Sequence, residues 1–148
     1  MPDPSNTYTD KYDASEQVTT QFIRYLPSVI FGWEDPITPG NGKFYYDIVG
    51  QMGGGRLVYC KAKLITAGVG STMLIQIHNL TQAVDMLATR LMVNSGSLDS
   101  SDAATPYDID EDNDDLADND TLRVDIDQNH STPGQGLILT LGIIERNE

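Results

Sequence analysis

From Phe22 onward the chain is a succession of short apolar runs separated by clusters of Gly, Pro, Asn and Asp. That punctuation constrains the fold more than any other feature, because it leaves no stretch for a long amphipathic helix. The runs fall at 28–33, 43–49, 56–67, 72–78, 86–93, 121–127 and 136–145. They are rich in Val, Ile, Leu, Tyr and Phe, which suit a pleated, half-buried surface. Turn chemistry separates them, as in Pro39-Gly40-Asn41-Gly42, Gly53-Gly54-Gly55, Ala67-Gly68-Val69-Gly70 and Pro133-Gly134-Gln135-Gly136.

Alternation sharpens the reading. Leu122, Val124 and Ile126 alternate with Arg123, Asp125 and Asp127, which predicts apolar groups on one sheet face and charges, Arg123 among them, turned to solvent. Met73, Ile75 and Ile77 alternate less cleanly with Leu74, Gln76 and His78. In 137–144 both faces are apolar, which predicts a central strand. Ile138, Thr140 and Ile144 are then left over as an oligomer contact. Leu80, Val84, Leu87, Ala88 and Leu91 also fit helical spacing, but the regular spacing of neighbouring strands favours a strand here. Seven or eight short strands in about 125 residues predict an all-β chain, an antiparallel, jelly-roll-like β-sandwich over 22–148. Residues 1–21 are polar and nearly free of aliphatic side chains, and read as an extended N-terminal arm.

The chain's 148 residues fit one such domain at roughly 100–200 residues per domain. Its formal charge is −13, from 9 basic and 22 acidic residues. This argues against nucleic acid, whose affinity comes from clustered Lys and Arg, and against an anionic membrane surface. The excess is local. Ten acids and no base lie between Asp99 and Asp120, and the remainder carries a net of only −3. The N-terminus lacks the basic and apolar regions of a secretory signal, and the longest nearly apolar run, 137–144, is far short of the ~20 residues a spanning helix needs. These features point to synthesis in a reducing cytoplasm. One cysteine, Cys60, rules out an intrachain disulfide framework and a Cys-based zinc cluster.

Catalytic signatures are absent: no Gly-x-Ser-x-Gly, no His-Glu-x-x-His and no phosphate-cradling Gly-x-x-x-x-Gly-Lys occurs. The histidines, His78 and His130, read as bystanders, and Cys60 as a small core residue in register with Val58, Ala62 and Leu64. Candidate metal ligands are Asp108, Asp110, Asp112 and Asp114, spaced at every second residue. An EF-hand is excluded, because Asn113 stands where its glycine belongs and Asn119 where its bidentate Glu belongs. A looser calcium or magnesium site and a solvated acidic loop remain as readings, and the loop is preferred. No cofactor is expected.

Over residues 22–145 the chain resembles jelly-roll decoration, or cement, proteins of tailed bacteriophage capsids. The likeness lies in Val29-Ile30-Phe31-Gly32-Trp33, in Gly42-Lys43-Phe44-Tyr45-Tyr46-Asp47-Ile48, and in the hairpin from Leu57 through Leu74-Ile75-Gln76-Ile77-His78-Asn79. Most distinctive is the Asp-rich approach to Thr121-Leu122-Arg123-Val124-Asp125-Ile126-Asp127, followed by a Gly-rich turn into Gly136-Leu137-Ile138-Leu139-Thr140-Leu141. The resemblance implies a non-enzymatic virion protein on the capsid exterior. It implies a homotrimer bound to the major capsid protein, with Tyr8 and Tyr12 of the arm as docking anchors. Two rival classes stand beside it. A receptor- or carbohydrate-binding head of a tail fibre or baseplate would use exposed aromatics such as Trp33, Tyr45, Tyr46, Tyr59 and Tyr107. A jelly-roll metal enzyme would need clustered histidines with a carboxylate, which two distant histidines do not supply.

Overall fold

Leu137, Leu139, Leu141 and Ile143, all fully buried, line the inner face of the last strand, β10 (Gln135–Ile144). The computed structural model describes residues 22–146, so the arm at 1–21, with Tyr8 and Tyr12, lies outside the described residues. β10 is the middle of a three-stranded antiparallel sheet, between β1 (Ile23–Pro36) and β3 (Arg56–Thr66). The second antiparallel sheet runs β2 (Gly40–Asp47), β9 (Thr121–Gln128), β4 (Met73–Asn79). Along the far edge of β4 lie two short strands, β5 (Val84–Asp85) and β7 (Leu91–Val93). β6 (Leu87–Thr89) and β8 (Asp108–Ile109) pair with each other.

The chain changes sheet between β1, β2, β3 and β4, and again between β9 and β10, so that its first and last strands pair. This is an all-β sandwich of jelly-roll type. A single core fills it. Leu122, Val124 and Ile126 of β9 and Met73, Ile75 and Ile77 of β4 pack with the β10 leucines and with Leu57, Cys60, Ala62 and Leu64 of β3. Truncating any one of these large aliphatics to Ala costs about 2–5 kcal/mol.

The region with ambiguous periodicity is β-structure. Leu80-Thr81-Gln82-Ala83 turns the chain, with Ala83 at φ +60° and Asn79 Oδ1 accepting from the Gln82 N–H at 3.0 Å. Buried Gln76 then supplies what a backbone strand would. Its Oε1 accepts from Leu87 N–H at 3.0 Å, and its Nε2 donates to the Leu87 carbonyl at 3.1 Å. A helix through 80–91 would forfeit these bonds.

Two bulges displace the simple alternation. Between Leu57 and Tyr59, β3 advances two residues while β10 advances one. Leu57, Cys60, Ala62 and Leu64 therefore face inward and Val58 does not share their burial. In β1 the register shifts between Val29 and Phe31, so that Val29 stays in the outward row of Ile23, Tyr25 and Pro27 while Phe31, which plain alternation would also turn outward, packs on the core.

Candidate functional site

The acidic segment is not a free loop. It runs beside β3 on the edge away from β10, with isolated bridges pairing Lys63 with Asp99 and Arg56 with Asp115. Four β3 amides that face this edge are all satisfied by it. Leu64 N–H donates to the Leu98 carbonyl at 2.8 Å and Leu57 N–H to the Asp114 carbonyl at 3.0 Å. Between them, Ala62 N–H donates to the Ser100 hydroxyl at 3.0 Å and Cys60 N–H to the Tyr107 phenol oxygen at 3.1 Å. A 3-10 turn at Ser100–Asp102, capped by the Asp99 carboxylate on Ser101 N–H at 2.9 Å, presents the Ser100 hydroxyl. The segment thus seals a sheet edge that would otherwise invite a foreign strand. This corrects the expectation of a solvated loop. Polar composition hid a backbone that is hydrogen-bonded to a core strand.

The four candidate ligands do not converge. Asp110 turns inward on its own loop, accepting from Asp112 N–H at 3.0 Å and Asn113 Nδ2 at 2.9 Å. Asp112 is exposed. Asp108 and Asp114 line a shallow cleft with Arg56, Tyr107, Ile109 and Glu111. Among the described residues no group of three or more His, Cys, Asp or Glu side chains is placed to hold a metal ion. Asp114 is buried, which raises its pKa; Asp115 adds repulsion, and Arg56 at 3.9 Å opposes the shift. Burial also opposes ionisation of Asp99, but bonds from Ser101 and the Lys61 ammonium at 3.3 Å outweigh it and lower its pKa.

Asp120 is the carboxylate that organises this end of the sandwich. Its Oδ2 accepts from Asn79 Nδ2 at 2.9 Å, Gln82 Nε2 at 2.6 Å and Ala117 N–H at 2.9 Å. Burial works against the charge, yet these donors win and hold its pKa below the usual carboxylate range. Nothing in the local sequence marks this residue out among nine other acids.

The remaining chemistry-bearing side chains are dispersed. His78 and His130 sit toward opposite ends of the β4–β9 pair, since His78 faces Arg123 and Leu74 faces Gln128 in that register. His78 Nδ1 contacts Asp85 Oδ1 at 2.7 Å. His130 is buried rather than set in an open polar turn; its Nε2 lies 3.0 Å from the Val93 carbonyl, and Gly68 packs so close to the ring that a side chain there would collide with Nδ1. Burial pushes the Cys60 thiol up to about 12, which leaves it un-ionised and unreactive. The Tyr46 phenol is likewise raised by burial to about 12, with nearby Ser28 partly offsetting the shift.

The charged face predicted for β9 also needs correcting. Asp125 is buried, and Arg123 is clamped to it rather than free in solvent: Nε to Oδ1 is 2.8 Å and Nη2 to Oδ2 is 3.0 Å. Gly42 N–H also donates to Asp125 Oδ1 at 3.0 Å.

The outer face of the β1–β10–β3 sheet is different in character. Its registered rows read Ile23–Ile144–Arg56, Tyr25–Gly142–Tyr59, Pro27–Thr140–Lys61 and Val29–Ile138–Lys63. Beyond them, Gly136 abuts Ile65 and the backbone of Trp33. Ile138, Thr140 and Ile144 are half-buried by their neighbours, so the exposed apolar area belongs mainly to β1, where Tyr25 is 53% and Val29 62% exposed. Comparison of the chain with protein families, curated proteins and solved structures finds no match.

Proposed function

We propose that this chain is a non-enzymatic structural protein of a tailed-phage particle, which decorates the outer capsid surface as a homotrimer and ties neighbouring capsomers together. The observation that carries this reading is the exposed apolar side chains on the outer face of β1–β10–β3, a surface suited to another protein. The sequence resemblance and the sealed edge of β3 support it, since a particle component must associate through one surface and not another. In this reading the arm at 1–21, through Tyr8 and Tyr12, reaches the major capsid protein.

A second reading, a receptor- or carbohydrate-binding head of a tail fibre or baseplate, draws on exposed Trp33 (69%) and Tyr45 (54%). These two belong to different sheets, β1 and β2, so they do not form one sugar platform. Tyr46 is buried, Tyr59 packs on Tyr25, and the Tyr107 hydroxyl is engaged by Cys60.

Immunogold labelling of virions with antibody to this chain tests both. Label over the capsid shell is the expected result. Label at the tail tip favours the receptor-binding reading, and virions without label overturn both.

A further inference from the structure

We infer that the outer face of the β1–β10–β3 sheet, centred on Tyr25 and Val29, is the surface through which copies of this chain associate. The interface rests on the self-association proposed above and assigns it a location. Three observations converge on a second copy as the occupant.

The first is area. Ile23, Tyr25, Val29, Trp33 and Ile65 are all exposed. Together with Pro27 they present on the order of 600 Å², at the upper end of the patches seen on monomers and approaching the ~800 Å² that each partner contributes to a standard interface.

The second is charge. The chain carries −13 overall, so two copies repel over most of their surfaces. The registered rows of this face contain no carboxylate, and their only charges are Arg56, Lys61 and Lys63 along the β3 margin. Two copies meeting here bring together an apolar centre whose rows hold no carboxylate, with Arg56 and Lys61 at its margin paired to Asp114 and Asp99, so that acid–acid repulsion opposes contact less here than over the acidic segment.

The third is the edge. β3's free edge is closed by residues 98–116, whereas β1, fourteen residues long, pairs with β10 and with no other strand among the described residues. The apolar column thus lies on a strand that, among the described residues, is an edge of its sheet.

The test is sedimentation velocity on the full chain at micromolar concentration, with Val29→Lys and Tyr25→Lys as variants and Tyr45→Lys, exposed on the other sheet, as control. Far-UV circular dichroism melts verify that each variant folds; Val29 faces solvent, where such changes are tolerated, and Tyr25→Lys gives up the ring contact with Tyr59. The wild type and Tyr45→Lys should be oligomeric. Val29→Lys and Tyr25→Lys should be folded, with dissociation constants raised at least about tenfold. An oligomeric wild type whose mass is unchanged by both β1 substitutions overturns this interface and leaves self-association standing. A monomeric wild type overturns both.

Discussion

Tyr25 on β1 and Tyr59 on β3 meet edge to face across the central strand, with ring centroids 5.5 Å apart and planes at 88°. Strands two places apart in a sheet are separated by nearly 10 Å, so their side chains meet only if the residue between them is small. Gly142 of β10 is that residue. A Cβ there would stand 2.7 Å from Tyr59 Cβ and 3.2 Å from the Tyr25 ring. The pair covers the glycine's bare backbone, and the glycine permits the pair.

Gly142→Ala should therefore destabilise the fold by about 1–3 kcal/mol, although alanine normally suits a strand better than glycine does. The nearest atom is a Cβ and cannot swing aside. Chemical denaturation of the wild type and variant reads the difference, and a stabilised variant would show that the two rings separate at no cost.

Asp120 and Asp118 lie two residues apart in the same acidic stretch, with opposite roles. Asp120→Ala strands three donors, from Asn79, Gln82 and Ala117, and should cost about 2–4 kcal/mol. Asp118→Ala removes an exposed carboxylate 4.0 Å from Arg146 and should stay within about 0.5 kcal/mol. Equal midpoint shifts in urea would refute the network.

Acidification should act on this segment in two directions. Asp120 and Asp99 have lowered folded pKa values, so their stabilisation is complete above the ordinary carboxylate range and is lost as pH falls through those lower values. The folded pKa of Asp114 is raised by burial, so its contribution is favourable below the ordinary carboxylate pKa and is lost as pH rises through the raised folded value. Asp114→Asn should thus equal or exceed wild-type melting temperature at pH 7. It should also lack the gain that the wild type draws from Asp114 on mild acidification. Calorimetric melts from pH 7 to 3 check this, and an Asn variant less stable at pH 7 would contradict it.

The strands were legible because alternation and turn residues report backbone geometry directly. Leu122, Val124 and Ile126 are all fully buried, and β10 is central as its two apolar faces require. What periodicity cannot report is a bulge. One extra residue in β3 shifts Val58 away from the inward set, and one in β1 turns Phe31 onto the core. Burial imposed by tertiary packing is equally hidden: Arg123 reads as a solvated charge until Asp125, two residues on, proves to be buried beneath its guanidinium. Arg123→Ala should then cost about 1–3 kcal/mol by leaving that carboxylate with only the Gly42 N–H as donor, whereas a solvent-facing residue would cost almost nothing in a thermal melt.

The edge seal makes a residue-specific prediction, because two of its four bonds come from side chains. Tyr107→Phe removes the acceptor for Cys60 N–H, and Ser100→Ala removes that for Ala62 N–H. The other two acceptors, the carbonyls of Leu98 and Asp114, survive both changes. Each substitution should cost about 1–2 kcal/mol for a buried donor left unmade. Hydrogen exchange gives the sharper reading: Cys60 alone should lose protection in Tyr107→Phe and Ala62 alone in Ser100→Ala, while Leu57 and Leu64 stay protected through their backbone partners. The double variant leaves two adjacent outward amides of β3 unpaired, and it should aggregate more readily at equal net charge because the edge becomes a template for strand addition. Retained protection at Cys60 and Ala62 in the double variant would mean that water, not the acidic segment, satisfies this edge.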